Sequence, residues 1–295
     1  MSHDGRYAPS PTGVLHLGNL RTALLAWLFA RSAGARFVLR IDDLDQGRSR
    51  AHFVDEQLAD LAALGLDWDG EVVFQSDRFP AYEAAIAELE RAGAVYECFC
   101  TRAEIREAAS APHGPLREGA YPGTCRGLGA AERARRSAAG RPPALRVDAG
   151  DARVAFTDRQ LGRSEGIVDD FVVRRGDGTP AYNLAVVVDD ADQGVAEVVR
   201  GADLLDSTPR QLWLARTLGL EPEPTHAHVP LVLGPDGARL AKRHGAVTLR
   251  DVRADEAFAW MTGSLGLAGD TPADLLAGFD PERLPRAPTV FGENR

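Results

Sequence analysis

Lysine is almost missing from this chain: of 34 basic residues among 295, Lys242 is the single lysine and the others are arginines. Long apolar runs are missing too. No stretch approaches the ~20 residues that a membrane-spanning helix needs, and the N-terminus reaches Pro9 without a hydrophobic segment of the secretory kind. The expectation is a soluble cytoplasmic protein without a membrane partner, acting as a monomer. Cysteine is scarce, with Cys98, Cys100 and Cys125 confined to one short stretch. An odd, clustered set speaks against a disulfide framework and for metal ligation. Sustained heptads are absent, and 44% hydrophobic with 26% charged residues excludes collagen-like, disordered and coiled-coil chains.

The net charge of -9 does not suggest a nucleic-acid binder, because phosphate contacts need local positive charge. The balance is uneven, however. Residues 101–146 hold nine arginines against four glutamates. A region of that sign could face a polyanion while the rest of the chain stays acidic.

Apolar periodicity and turn residues give the outline. A short strand over 5–8 ends at Pro9-Ser10-Pro11-Thr12-Gly13, and a helix follows from Gly18 to about Gly34. Residues 37–41 read as a strand, a second helix starts at Ser49 as N-cap, and a third covers 81–92. Strand and helix in alternation point to a parallel α/β sheet with crossover helices. The stretch 112–146, rich in Pro, Gly, Ala and Arg, reads as irregular, after a possible capping box at Thr101 and Glu104. Residues 171–181 read as a hairpin broken at Gly176-Asp177-Gly178. The α/β pattern then returns, with strands over 197–200 and 229–233, a helix over 208–218, and helices over 251–267 and 271–277.

Two elements carry chemistry. Between the first strand and helix lie His16, Gly18 and Asn19. A turn of small residues leading into a helix offers free N–H groups and the positive dipole end to one anion. Gly18 permits close backbone approach, and His16 and Asn19 can donate to phosphate. Near the C-terminus, Arg239, Lys242 and Arg243 follow the turn Gly234-Pro235-Asp236-Gly237, after a strand. A compact ammonium suits a phosphate at close quarters, and the lone lysine sits after a strand, where α/β proteins carry their sites; the alternative is a solvated basic loop.

Together these resemble the HIGH and KMSKS signatures of class I aminoacyl-tRNA synthetases: His16-Leu17-Gly18-Asn19 for the first, Arg239-Leu240-Ala241-Lys242-Arg243 for the second. The opening run from Arg6 to Gly18 is similar to that of the glutamyl subgroup. So are Arg40-Ile41-Asp42-Asp43-Leu44-Asp45, Tyr182-Asn183-Leu184-Ala185 and the run from Arg200 to Thr208. The 52 residues after Arg243 are too few for an anticodon-binding region, which is expected to be absent, as in the truncated branch of the subgroup.

The resemblance implies activation of L-glutamate with ATP and Mg2+, without tRNA being needed first, and its transfer to queuosine in tRNA(Asp). Alternatives are a free-standing core charging tRNA(Glu), or an inactive zinc-containing RNA-binding paralogue. It implies His16, Gly18, Asn19, Arg239 and Lys242 around ATP. Around glutamate it implies Arg6, Ala8, Ser10, Asp42, Tyr182 and Arg200, with the two arginines on the side-chain carboxylate. Asp42 stands where the family has Glu, and Ala241 where it has Ser. For the cysteines it implies one structural zinc, Tyr121 completing the set with Cys98, Cys100 and Cys125, although His113 is the more usual ligand type. The expected organisation is a Rossmann-like catalytic domain in two halves, 1–94 and 181–235. A zinc-containing α+β insertion spans 95–180, and 236–295 carries the second signature loop and a small helical C-terminus.

Overall fold

The computed structural model describes residues 4–101, 103–105, 121–140, 142–238, 240 and 247–291. Strand β1 (Gly5–Tyr7) leads through helix α1 (Leu17–Ser32) to β2 (Phe37–Ile41), and α2 (Ala51–Ala63) leads on to β3 (Val73–Phe74). Helix α3 (Phe79–Arg91) precedes β4 (Val95–Cys98). Then come α4 (Ala130–Ala138), β5 (Ala144–Val147), β6 (Arg153–Asp158), β7 (Gly162–Ile167) and β8 (Val172–Arg174). Helix α5 (Tyr182–Asp192), β9 (Glu197–Gly201), α6 (Thr208–Leu218) and β10 (Thr225–Val229) return to the main sheet. Short β11 (Val232–Leu233), α7 (Ala254–Leu265), α8 (Pro272–Leu276) and β12 (Thr289–Val290) complete the described chain.

The main sheet has the order β3-β2-β1-β9-β10-β6-β7. Its first five strands are parallel, β6 joins β10 in parallel through Asp158 and His226, and β7 is antiparallel to β6. The strand order reverses between β1 and β9. Such a switch point leaves a crevice at the carboxyl ends of the two strands, where open α/β sheets bind ligands. A separate antiparallel sheet, β4-β5-β8, lies outside it. Residues 95–180 thus supply both that small sheet and the β6–β7 hairpin of the large one.

Helix α1 is buried on nearly every side, with Leu20, Leu24, Leu25 and Leu28 inaccessible. It is sandwiched between the sheet and the C-terminal α7 and α8, so it cannot be amphipathic. A second apolar cluster joins α3, α5 and α6 to β5 and β8.

Several expectations are corrected. Arg50, not Ser49, caps α2, and without a side-chain bond. The stretch read as irregular contains α4 and β5. In α4 the alanines and arginines are good helix formers, and Glu132 pairs with Arg135 and Arg136 on one face. The hairpin over 171–181 is present but short, with Ala181 N donating to Val173 O at 2.9 Å, Arg175 N to Thr179 O at 2.8 Å and a bridge from Arg174 to Pro180, while β8 also pairs with β5 on its other edge. The strand placed at 229–233 is two strands, divided at Pro230. Helix α5 and the β6–β7 hairpin were not expected. The run Val186-Val187-Val188 favours a strand locally, and only its burial inside the second cluster makes it helical. The capping box at Thr101 is formed: its Oγ1 accepts from Glu104 N at 3.0 Å, and its N–H donates to Glu104 Oε2 at 2.5 Å.

Candidate active site

The turn after β1 is held from outside. Gln57, buried on α2, donates through Nε2 to Ser10 O at 3.1 Å and Gly13 O at 2.7 Å, while Asp42 N reaches Pro9 O at 2.9 Å. His16 then caps α1: its Nδ1 accepts from Asn19 N, and Asn19 Oδ1 accepts from His16 N, both at 3.3 Å. A neutral ring that accepts at Nδ1 carries its proton on Nε2. The cap therefore makes His16 a donor at its far nitrogen. Of the first helical amides, Leu17 N is spent on Val247 O at 3.0 Å and Asn19 N on His16, whereas Gly18 N makes no bond among the described residues. A Cβ at Gly18 would stand 3.1 Å from the His16 ring and 3.3 Å from Val232 Cβ, so only glycine leaves the imidazole where it is.

The chain around the second signature returns to this same point. Leu240 N donates to Val232 O at 3.0 Å, and Thr248 forms a bridge with His16. Leu240 and Val247, on either side of the undescribed stretch 241–246, are thus both fastened near the N-terminus of α1.

Between the carboxyl ends of β1 and β9 opens a cleft of about 490 Å³. Of the residues expected to contact ATP or glutamate, Arg6, Ala8, Ser10, His16, Gly18, Asn19, Asp42, Tyr182 and Arg200 all line it. Arg239 and Lys242 lie outside the described residues, as do His113 and Ala241. Its volume is that of an ordinary small-molecule site.

The two arginines on its floor differ. Arg6 Nε donates to Asp190 Oδ1 at 3.3 Å, and Nη1 to Val199 O at 3.3 Å. Arg200, 4% exposed, donates to neutral acceptors, His228 Nε2 at 3.0 Å, Gln211 Oε1 at 2.7 Å, Thr208 Oγ1 at 2.8 Å and Leu204 O at 3.4 Å, while the Tyr182 phenol also faces it and Asp190 acts on it through charge alone. Burial, with Arg6 close by, holds its pKa below the usual arginine value. A buried guanidinium that no described carboxylate hydrogen-bonds suits an anionic ligand. Asp42 Oδ1 accepts from Arg40 Nε at 2.8 Å, and Arg40 Nη1 donates to Asp190 at 2.7 Å. Burial nevertheless pushes the Asp42 carboxyl up to about 6, against the pull of Arg40 and Arg6. Sequence reasoning missed Asp190, Arg40 and Gln57. The available signals were Arg40 at the head of the run Arg40–Asp45 and the doublet Asp189-Asp190 in the last turn of α5.

The sulfurs of Cys98, Cys100 and Cys125 lie within 4.8 Å of one another. Tyr121 Oη is 3.4 Å from Cys98 Sγ and 3.5 Å from Cys100 Sγ, and accepts from Cys125 N at 2.8 Å. Arg146 stacks 3.8 Å above the Tyr121 ring, and Arg136 Nη1 lies 3.6 Å from Cys125 Sγ. Two cations thus adjoin a set of potential anions. Arg126, next to Cys125, clasps Asp170 through Nε and Nη2 at 2.8 and 2.7 Å and ties the loop to the small sheet.

A family model described as tRNA synthetases class I (E and Q), catalytic domain, matches residues 4–282. The chain is 62% identical to the glutamyl-Q tRNA(Asp) synthetase of Nocardia farcinica, over 98% of this chain and 93% of that protein. It is 52% identical to the one of Symbiobacterium thermophilum, over 96% and 94%. Among solved structures, a glutamate tRNA ligase from Elizabethkingia meningosepticum in complex with its amino acid superposes with a TM-score of 0.83 at 26% identity. That match covers 99% of this chain and 67% of the other.

Proposed function

The chain belongs to the class I tRNA synthetases of the E and Q family, as a ligase, and we propose that it joins L-glutamate to ATP as glutamyl-adenylate and passes the glutamyl group to queuosine in tRNA(Asp). The observation that carries this reading is one cleft holding both a capped helix N-terminus and a buried arginine that no carboxylate among the described residues hydrogen-bonds. The names of relatives 62% and 52% identical over nearly the whole chain support the tRNA(Asp) half.

In the first step a carboxylate oxygen of glutamate bonds to the α-phosphorus of ATP, and the bond from that phosphorus to the bridging oxygen breaks, releasing pyrophosphate. The nucleophile is already ionised, so no general base is needed. Catalysis is orientation and charge stabilisation. His16 through Nε2–H, Gly18 through its backbone N–H and Asn19 offer donors to phosphate oxygens, and Mg2+ accompanies the ATP. Leu240 is fastened beside this helix end, and Arg239 and Lys242, which flank it in sequence, would supply cations to the departing phosphates. Arg200 and Arg6 take the side-chain carboxylate, Ser10 and Ala8 border the amino acid, Tyr182 flanks it, and Asp42 takes the ammonium. Glutamate-dependent ATP–pyrophosphate exchange without tRNA tests the reading, and no exchange at any glutamate concentration would defeat it.

The Asp42 role has a pH signature. Only the ionised carboxylate pairs with an ammonium, and the free enzyme's group titrates near 6. The kcat/KM for glutamate should therefore rise with pH up to that region and level off above it. The Asp42→Asn variant should be low and flat from pH 5 to 8, and a wild-type profile without the rise would remove Asp42 from substrate binding. Stability runs the other way. A carboxyl raised in the folded state favours folding below its unfolded value, 3.8, and that contribution is lost as pH climbs to about 6.

The thiols and phenol fit one zinc. Bonds of ~2.3 Å to sulfur and ~2.0–2.2 Å to oxygen give tetrahedron edges of ~3.5–3.8 Å, close to the 3.4 and 3.5 Å between Tyr121 Oη and two of the sulfurs. Cys98, Cys100, Tyr121 and Cys125 would hold it, and its chemistry there is structural cross-linking of the insertion. Elemental analysis should find ~1 zinc per chain and much less in Cys125→Ser; a metal-free, equally stable wild type would contradict the site.

A further inference from the structure

Behind Arg200 lies a second layer that reaches it from another part of the fold. Arg200 Nε–H points at His228 Nε2, 3.0 Å away. Arginine has no lone pair to offer, so that nitrogen must be bare, and the single proton of a neutral ring sits on Nδ1. Nδ1 faces Asp158 Oδ2 at 2.6 Å, with His228 and Asp158 both fully buried. Asp158 cannot turn away. Its Oδ1 accepts from Gln160 N at 2.9 Å and Leu161 N at 3.0 Å, and His228 N lies 3.2 Å from both oxygens. The other groups facing His228 are Thr208 Oγ1 at 3.2 Å and the stacked ring of His226 at 5.9 Å, with the charges of Arg200 and Arg6 beyond. The line Asp158–His228–Arg200 runs from the β6–β7 hairpin through β10 to the cleft at the end of β9.

We propose that Asp158 and His228 are positioning residues for Arg200. They fix the imidazole as an acceptor, which orients the guanidinium without neutralising it. Four of its five N–H groups are spent on the protein: Nε, one Nη1 and both Nη2. These partners are uncharged, and with the Tyr182 phenol beside the guanidinium and Asp190 acting only through charge, most of its positive charge is left for the ligand. A carboxylate in the place of His228 would cancel that charge and let a carboxamide bind nearly as well. The interposed ring avoids this, and the pair thereby sets a preference for a carboxylate side chain. The inference rests on the reading of Arg200 given above.

Three variants test it by exchange kinetics, with glutamate and ATP titrated separately and glutamine as competitor. In Asp158→Asn the backbone donors of Gln160 and Leu161 hold the amide oxygen, so its NH2 meets Nδ1. The ring then takes the wrong tautomer and aims Nε2–H at Arg200. In His228→Asn the shorter side chain no longer reaches Arg200. Both should raise the KM for glutamate ~30-fold and shrink discrimination against glutamine, with the KM for ATP within ~2-fold. His228→Gln keeps an oxygen where Nε2 stood and should recover most of the loss. Unchanged glutamate KM in the first two variants, or equal losses for both substrates in all three, would overturn the proposal. Nitrogen-15 spectra of the wild type read the tautomer without any variant, and a proton on Nε2 would overturn it as well. An Arg200→Lys enzyme with wild-type glutamate kinetics would instead defeat the reading of Arg200 itself.

Discussion

Replacing Arg200 with leucine should lower kcat/KM for glutamate at least ~10³-fold in ATP–pyrophosphate exchange while leaving the KM for ATP within ~3-fold. The size follows from the surroundings of the guanidinium. Its hydrogen-bond acceptors among the described residues are neutral and Asp190 acts on it through charge alone, so the substrate carboxylate would be its directly bonded counter-charge, and losing the guanidinium strands that carboxylate in a buried pocket. Arg6 cannot take over, because Asp190 already holds its Nε and offsets its charge. Arg200→Lys keeps a charge but loses the fork held by His228, Gln211 and Thr208, and a loss of ~10²-fold is expected. Equal loss toward ATP would mean that the substitution damages the cleft generally.

Lys242→Ala should cut kcat for exchange by ~10²–10³ with the KM for glutamate little changed. The contrast in kinetic form is the point. Arg200 meets a carboxylate that does not react, so it acts on binding. Lys242 would meet charge that develops only as pyrophosphate leaves, so it acts on turnover. No second lysine exists anywhere in the chain to substitute for it. A Lys242→Ala enzyme that turned over at the wild-type rate would remove Lys242 from the mechanism.

Much of the frame was readable from residues alone. The β1 turn, α1 and β2 follow from local chemistry, a proline-rich stop, an apolar run at helical spacing and a glycine after the helix, whereas the His16–Asn19 cap showed only in the structure. That Arg6, Asp42, Tyr182 and Arg200 would share a cleft came from the resemblance, since they are scattered over 195 positions and no periodicity joins them. What stayed illegible depends on tertiary context. The Val186–Val188 run is helical because both faces are covered, which no local propensity encodes. The β6–β7 hairpin joins the main sheet through a single pairing with β10, and nothing in its sequence names that partner. Arg40, Asp190, Asp158 and His228 are charged or titratable residues inside strands and helices that look structural one at a time. Their importance is in which polar atom faces which, and that appears only once the fold has closed.

The most direct measurement of the central claim is transfer of labelled glutamate to purified tRNA(Asp) with and without queuosine, with tRNA(Glu) alongside. The account predicts labelling of queuosine-bearing tRNA(Asp) alone, retained after the terminal adenosine is removed. Labelling of tRNA(Glu) at that adenosine, or equal labelling of tRNA(Asp) lacking queuosine, would contradict it.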